Sequence, residues 1–143
     1  MPRPPGDVER ATAVGGLIAS LAWRLEDWRI LPGVCVQLGD DWYRPELCGW
    51  RRDKQSRPPV SPEWICEVAS NKVRRDKYLV RYHDAEVPIL WLLDPRRGKL
   101  EVFVHQPRWY LCVLTARRSK RVFAPPFGSI ELHPEVLQCD EPE

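Results

Sequence analysis

Two acidic residues, Glu46 and Glu67, each stand inside a short run of strand-forming residues, Tyr43-Arg44-Pro45-Glu46-Leu47 and Trp64-Ile65-Cys66-Glu67-Val68-Ala69-Ser70. A carboxylate on a half-buried strand is costly unless it is paired, hydrogen-bonded or bound to a metal. Two of them in successive predicted strands raise the question of which positive charge lies between them. Strand side chains alternate, so Glu67 shares a face with Ala69, and Glu46 with Cys48. If the two strands pair antiparallel, both acids point into one shallow site. Hard carboxylate oxygens there suit Mg²⁺ or Mn²⁺, and the main-chain carbonyl of Val68 can add a third oxygen. Small Ala69 leaves room beside Glu67 for a long side chain arriving from elsewhere. Lys77 is the first candidate and Lys72 the second, with an ammonium group that can assist an attacking water. Arg74, Lys77 and Arg81, at i, i+3 and i+7, form a cationic stripe able to hold phosphates. The same residues also fit a blander reading, in which the acids are solvated edge residues and the basic stripe is an ordinary wet helix face.

The elements that must position these groups follow from periodicity and from 15 prolines that punctuate the chain. Asp7 can cap a helix over 8–27, whose apolar positions Val14, Leu17, Ile18, Leu21 and Leu25 recur at helical spacing. Gly15-Gly16 either weakens that helix or admits a close neighbour. Pro32-Gly33 opens a strand over 34–38, and Gly39-Asp40-Asp41 turns it into a second strand over 42–50. A polar, Pro-rich loop covers 51–62. A third strand spans 63–70, and Ser70 or Asn71 caps a helix over 72–86 whose buried face is Tyr78, Leu79, Tyr82 and Ala85. Val87-Pro88 ends that helix and launches 89–94, an apolar run of the kind covered on both faces, so a parallel crossover joins the third strand to this one. Strands at 99–105, 109–115, 121–124 and 129–132 then read as an antiparallel meander extending the sheet.

The 143 residues fit a single domain able to bury a core, with loose tails at 1–6 and 139–143. A formal charge of +2 conceals a basic window. Between positions 44 and 81 ten Arg and Lys residues face five acids, which makes a polyanion a suitable partner. Five cysteines without CxxC or zinc spacing read as free thiols of a reducing compartment, packed as small hydrophobes, so the expected location is cytoplasmic. No apolar run approaches the length of a membrane span. His83, His105 and His133 are too scattered to suggest a ligand set. Trp50, beside Arg51-Arg52, can stack on a base.

The run Gly39-Asp40-Asp41-Trp42-Tyr43-Arg44-Pro45-Glu46-Leu47-Cys48-Gly49-Trp50-Arg51-Arg52 is followed by Pro62-Glu63-Trp64-Ile65-Cys66-Glu67-Val68-Ala69-Ser70, Val87-Pro88 and Trp91-Leu92-Leu93-Asp94-Pro95. In order and spacing these resemble the Uma-two family of putative restriction endonucleases, within the PD-(D/E)XK nuclease superfamily, over roughly residues 10 to 137. The resemblance implies an α/β restriction-endonuclease-like core, a mixed sheet flanked by helices, with a divalent metal held by acids on adjacent strands. Glu46 falls on the family's Pro-Asp acid and Glu67 on its Glu-Val acid, while the family's lysine lies on the following helix, near Lys77. The chain departs from the pattern at Glu46, which replaces an aspartate, at Arg10, which stands where a histidine is usual, and in the helix after Ser70, which is shorter.

These readings together give a Mg²⁺- or Mn²⁺-dependent endonuclease acting on DNA. Glu46, Glu67 and Val68 are the expected metal ligands, Glu46, Glu67 and Lys77 the expected catalytic set, and Arg51, Arg74 and Arg81 the expected phosphate contacts. Cutting both strands would favour a homodimer. The alternative is a nuclease-like scaffold without chemistry that binds nucleic acid or a protein partner.

Overall fold

In a computed structural model of the chain, residues 5–118 and 120–137 are described, so Cys139 and most of both expected tails lie outside the described residues. The elements are α1 (Pro5–Leu21), β1 (Trp28–Pro32), β2 (Val36–Leu38), β3 (Asp41–Tyr43), β4 (Leu47–Arg51), β5 (Trp64–Val68), α2 (Lys72–Asp84), β6 (Ile89–Asp94), β7 (Lys99–His105), β8 (Tyr110–Arg117), β9 (Arg121–Phe123) and β10 (Ser129–Glu131). Short 3-10 turns cover Ala22–Arg24, Arg52–Lys54 and Pro134–Leu137.

Six strands form one mixed sheet in the order β1-β4-β5-β6-β7-β8. Every neighbouring pair is antiparallel except β5 and β6, which run parallel because α2 carries the chain back between them. The sheet separates two apolar clusters, so the molecule is a three-layer α/β fold. On one face Ala13, Leu17 and Leu21 of α1 join Trp28, Trp64, Trp91 and Phe127. The Phe127 ring meets these three indoles edge-on at 5.1–5.5 Å between centroids. A Cβ at Gly49 would come within 3.1 Å of Trp64 and 3.3 Å of Trp28, so this β4 glycine makes room for the two indoles. On the other face Tyr82 of α2 joins Cys48, Ile65, Leu90, Leu92 and Phe103. β6 is buried along nearly its whole length, as its apolar run requires.

Four expectations need correction. The first helix stops at Leu21 instead of reaching 27, and Asp7 lies inside it, not at its cap. Residues 28–32 pair with β4, and Leu25, which continued the helical spacing on paper, is exposed. Ladder pairing and burial of Trp28 outweigh local propensity there. Secondly, the strand expected over 42–50 is two strands, because Arg44-Pro45-Glu46 interrupts it. β3 pairs only with β2 in a separate hairpin, and β4 pairs with β1 and β5. Thirdly, β7 and β8 extend the sheet, but β9 and β10 form their own two-stranded ribbon. Finally, Cys48 and Cys66 are buried free thiols, whereas Cys35 and Cys112 are free but exposed. The close neighbour of the first helix is real: a Cβ at Gly16 would meet Val136 N and Glu135 Cβ at 3.1 Å. Among the described residues no helix is long and apolar enough to cross a membrane.

Candidate active site

The antiparallel register that pairs Leu47 with Cys66 places Glu46 opposite Glu67 at the next step. The two acids are thus cross-strand neighbours at the end of the sheet where β5 runs into α2. Glu67 is 4% exposed, and its carboxylate is held from two sides. Oε1 accepts from the Glu46 backbone N–H at 2.9 Å, and Oε2 accepts from the Tyr82 hydroxyl at 2.7 Å. Tyr82 reaches it because Asn71 caps α2 by accepting from the Arg74 N–H at 2.8 Å, which starts the helix directly after β5. Glu46 is half-buried, and its Oε1 lies 3.4 Å from Arg10 Nη1 of α1.

Burial dominates the electrostatics of this corner. It raises the Glu67 pKa; the hydrogen bonds from Tyr82 and from the Glu46 N–H pull it back, the Glu46 charge pushes it up, and Arg81 lowers it. The same negative field reaches its neighbours. Cys48 is pushed up to about 12 by burial and then by Glu67, and Cys66 is raised well above the usual thiol value by burial and both acids. Burial first and Glu67 second also raise Tyr82, so its hydroxyl is a firm donor. The described residues contain three buried acids, and they differ in their partners. Glu101 receives Arg75 on both oxygens and Asp94 pairs with Arg97, whereas Glu67 receives only neutral donors.

The cationic stripe is divided by its surroundings. Arg81 is half-buried, with its guanidinium carbon 4.4 Å from the centre of the Tyr43 ring and within 6 Å of Tyr78 and Tyr82. It is the helix cation whose charge acts on Glu67. Arg74 and Lys77 are exposed, and Lys77 forms no ion pair among the described residues. Tyr78 and Tyr82, stacked at 6.0 Å, occupy the helix face toward the acid. Arg51 is not brought to this corner. It ends β4 about 16 Å along the strand from Glu46, pairing with Glu63 and covering Trp28. Trp50 is fully buried, with its indole N–H bonded to the Val60 carbonyl, so it is no stacking platform.

Glu46, Glu67 and the Val68 carbonyl are all hard oxygen donors, the type that Mg²⁺ and Mn²⁺ prefer. Each Glu67 oxygen accepts one hydrogen bond and keeps a second acceptor direction, so the donor set fits a divalent ion. No group of three or more His, Cys, Asp or Glu at ligand distance occurs among the described residues, so the Val68 carbonyl and solvent or substrate oxygens would complete the shell. Two residues that the sequence kept apart do meet elsewhere. His83 and His105 stack at 4.3 Å, brought together by α2 and β7, and only the crossover topology reveals it. Arg10 and Tyr82 are the site neighbours that strand patterning missed, since they come from α1 and α2.

A mixed six-stranded sheet with helices on both faces is an α/β core of the restriction-endonuclease-like fold. A crystal structure of a putative nuclease of the DUF820 group from Anabaena variabilis shares it, with a TM-score of 0.64 over 95% of this chain and 82% of that one, at 14% identity. The family described as Uma2, "Putative restriction endonuclease", matches residues 4–132, and the chain belongs to that family. No curated protein matches it.

Proposed function

We propose that this protein is a metal-dependent endonuclease that hydrolyses DNA phosphodiester bonds at the Glu46–Glu67 corner. One observation carries the reading: among the buried acids of the described residues, Glu67 alone is given no cationic side chain in hydrogen-bonding contact, so its burial is best compensated by a cation from outside. Bound there, Mg²⁺ or Mn²⁺ would supply positive charge to the phosphate oxygens and acidify an attacking water. Glu46, Glu67 and the Val68 carbonyl would hold it. Lys77, exposed on α2, would assist the attacking water. Arg74 and Arg81 would bind the phosphates next to the scissile bond, and Arg51 would touch backbone farther along the duplex. Two strands cut by one kind of site favour a homodimer, and the free thiols favour a cytoplasmic enzyme.

The Arg10–Glu46 pair favours a second reading, because a guanidinium already neutralises the more accessible acid. On that reading the chain is a scaffold that binds nucleic acid or a protein partner without cutting. Calorimetric titration of Mn²⁺ at modest ionic strength, into wild type and Glu67→Gln, separates the two. Saturable uptake lost in Glu67→Gln, with metal-dependent cleavage lost and salt-sensitive DNA binding kept, supports the enzyme. Salt-sensitive DNA binding with neither uptake nor cleavage in the wild type supports the scaffold.

A further inference from the structure

We infer that Tyr82 is a positioning residue of the acid pair, its hydroxyl acting with the Glu46 backbone N–H to fix the Glu67 carboxylate in one orientation. The inference rests on the reading of Glu46 and Glu67 as the site. It assigns a role to a helix residue that strand patterning cannot see.

The terminal torsion of a glutamate is broad, so a carboxylate without anchors at both oxygens samples many orientations. Here the anchors come from different elements. The Tyr82 hydroxyl of α2 holds Oε2 at 2.7 Å, and the Glu46 N–H, in the break just before β4, holds Oε1 at 2.9 Å. Tyr82 is itself fully buried, stacked on Tyr78 and packed in the cluster with Ile65 and Leu90, so its own aim is set by the core. The donor is neutral, and that distinguishes it from the arginine that seats Glu101 on the same face of the sheet. A neutral donor orients a carboxylate without cancelling its charge, and one acceptor direction on each oxygen stays open for a cation. The placement of α2 therefore sets both the cations of the stripe and the direction of the acid they serve.

The alternative is that Tyr82 only fills the core, in which case Phe serves as well. Amide hydrogen exchange resolved by NMR distinguishes the two, because the Glu46 amide reports whether the carboxylate is in place. In Tyr82→Phe the Glu46 amide should exchange at least about tenfold faster, while the Cys48 and Ile65 amides keep wild-type protection and show that the fold is intact. Mn²⁺ affinity should fall about tenfold, and Tyr78→Phe should change neither quantity. A Glu46 amide that exchanges as in wild type in Tyr82→Phe overturns the inference, whatever happens to Mn²⁺. Wild-type protein that takes up no Mn²⁺ sinks the metal-dependent reading alone, since the amide comparison still decides the role of Tyr82.

Discussion

Glu67 and Glu101 lie on one line across the sheet, since Glu67 pairs with Leu92 and Leu92 with Glu101. Two strand spacings, about 10 Å, separate them on the face covered by α2. Both are buried, at 4% and 7% exposure, yet their chemistry is opposite. Glu101 accepts from Arg75 Nε at 2.8 Å and from Arg75 Nη2 at 2.9 Å, with Lys99 at 3.6 Å, and the hydrogen bonds from Arg75 hold its pKa below the usual carboxylate value. Glu67 meets a phenol and a peptide N–H, and burial wins, so its pKa is raised. One helix supplies both arrangements, Arg75 from its first half and Tyr82 from its second. A bidentate guanidinium makes a buried acid structural, whereas neutral donors leave it with unspent charge for a ligand.

Removing Arg75 should break the comparison most strongly. Arg75→Ala leaves the buried Glu101 with only Lys99, 3.6 Å away, and urea unfolding at pH 7 should lose about 2–3 kcal/mol, below the full cost of a deeply buried pair because Arg75 is partly exposed and Lys99 remains. The two carboxylates can then be contrasted directly as glutamines across pH. Glu101 has a depressed folded pKa, so its stabilisation is present above the unfolded value and lost as pH falls through the folded one. Glu101→Gln should therefore cost about 1–2 kcal/mol at pH 7, with the difference closing in acid. Glu67 has the reverse sign: its contribution is complete below the unfolded value and lost as pH rises through the raised folded one. Glu67→Gln should accordingly match wild type in acid and be the more stable protein at pH 8, by on the order of 1 kcal/mol. Equal pH profiles for the two variants would erase the distinction between the acids. The smallest expected effect concerns Glu46. Arg10→Ala removes a half-exposed ion pair and should tighten Mn²⁺ binding a few-fold, read by calorimetry.

Much of this arrangement is legible in the chain itself. Two acids set in strand-forming runs, a capped basic helix directly after the second, and an apolar run behind Val87-Pro88 suffice for β5, α2 and β6 and for their parallel crossover. Alternation along antiparallel strands gave Glu46 and Glu67 a common face, and the register bears out that pairing; that this face is the one covered by α2 is seen only in the structure. The first third was less legible. Helical spacing runs on through Leu25, but 28–32 is drawn into the sheet by its pairing with β4, a contact between segments some twenty residues apart. The break at Pro45 has a local cause, the missing N–H, while the separation of β3 from β4 depends on which partner each finds.

What the sequence by itself determined is the inventory: which acids, which cations, which periodicities and the order of the elements. These depend on local propensity and spacing, which a short window of residues carries. Only the tertiary structure decided which cation meets which acid. Arg75 reaches Glu101, Arg10 reaches Glu46, Arg81 acts on Glu67 from beside Tyr43, and Lys77 faces solvent. Those outcomes depend on how α1 and α2 lie across the sheet, and packing sets those positions through contacts far apart in the chain.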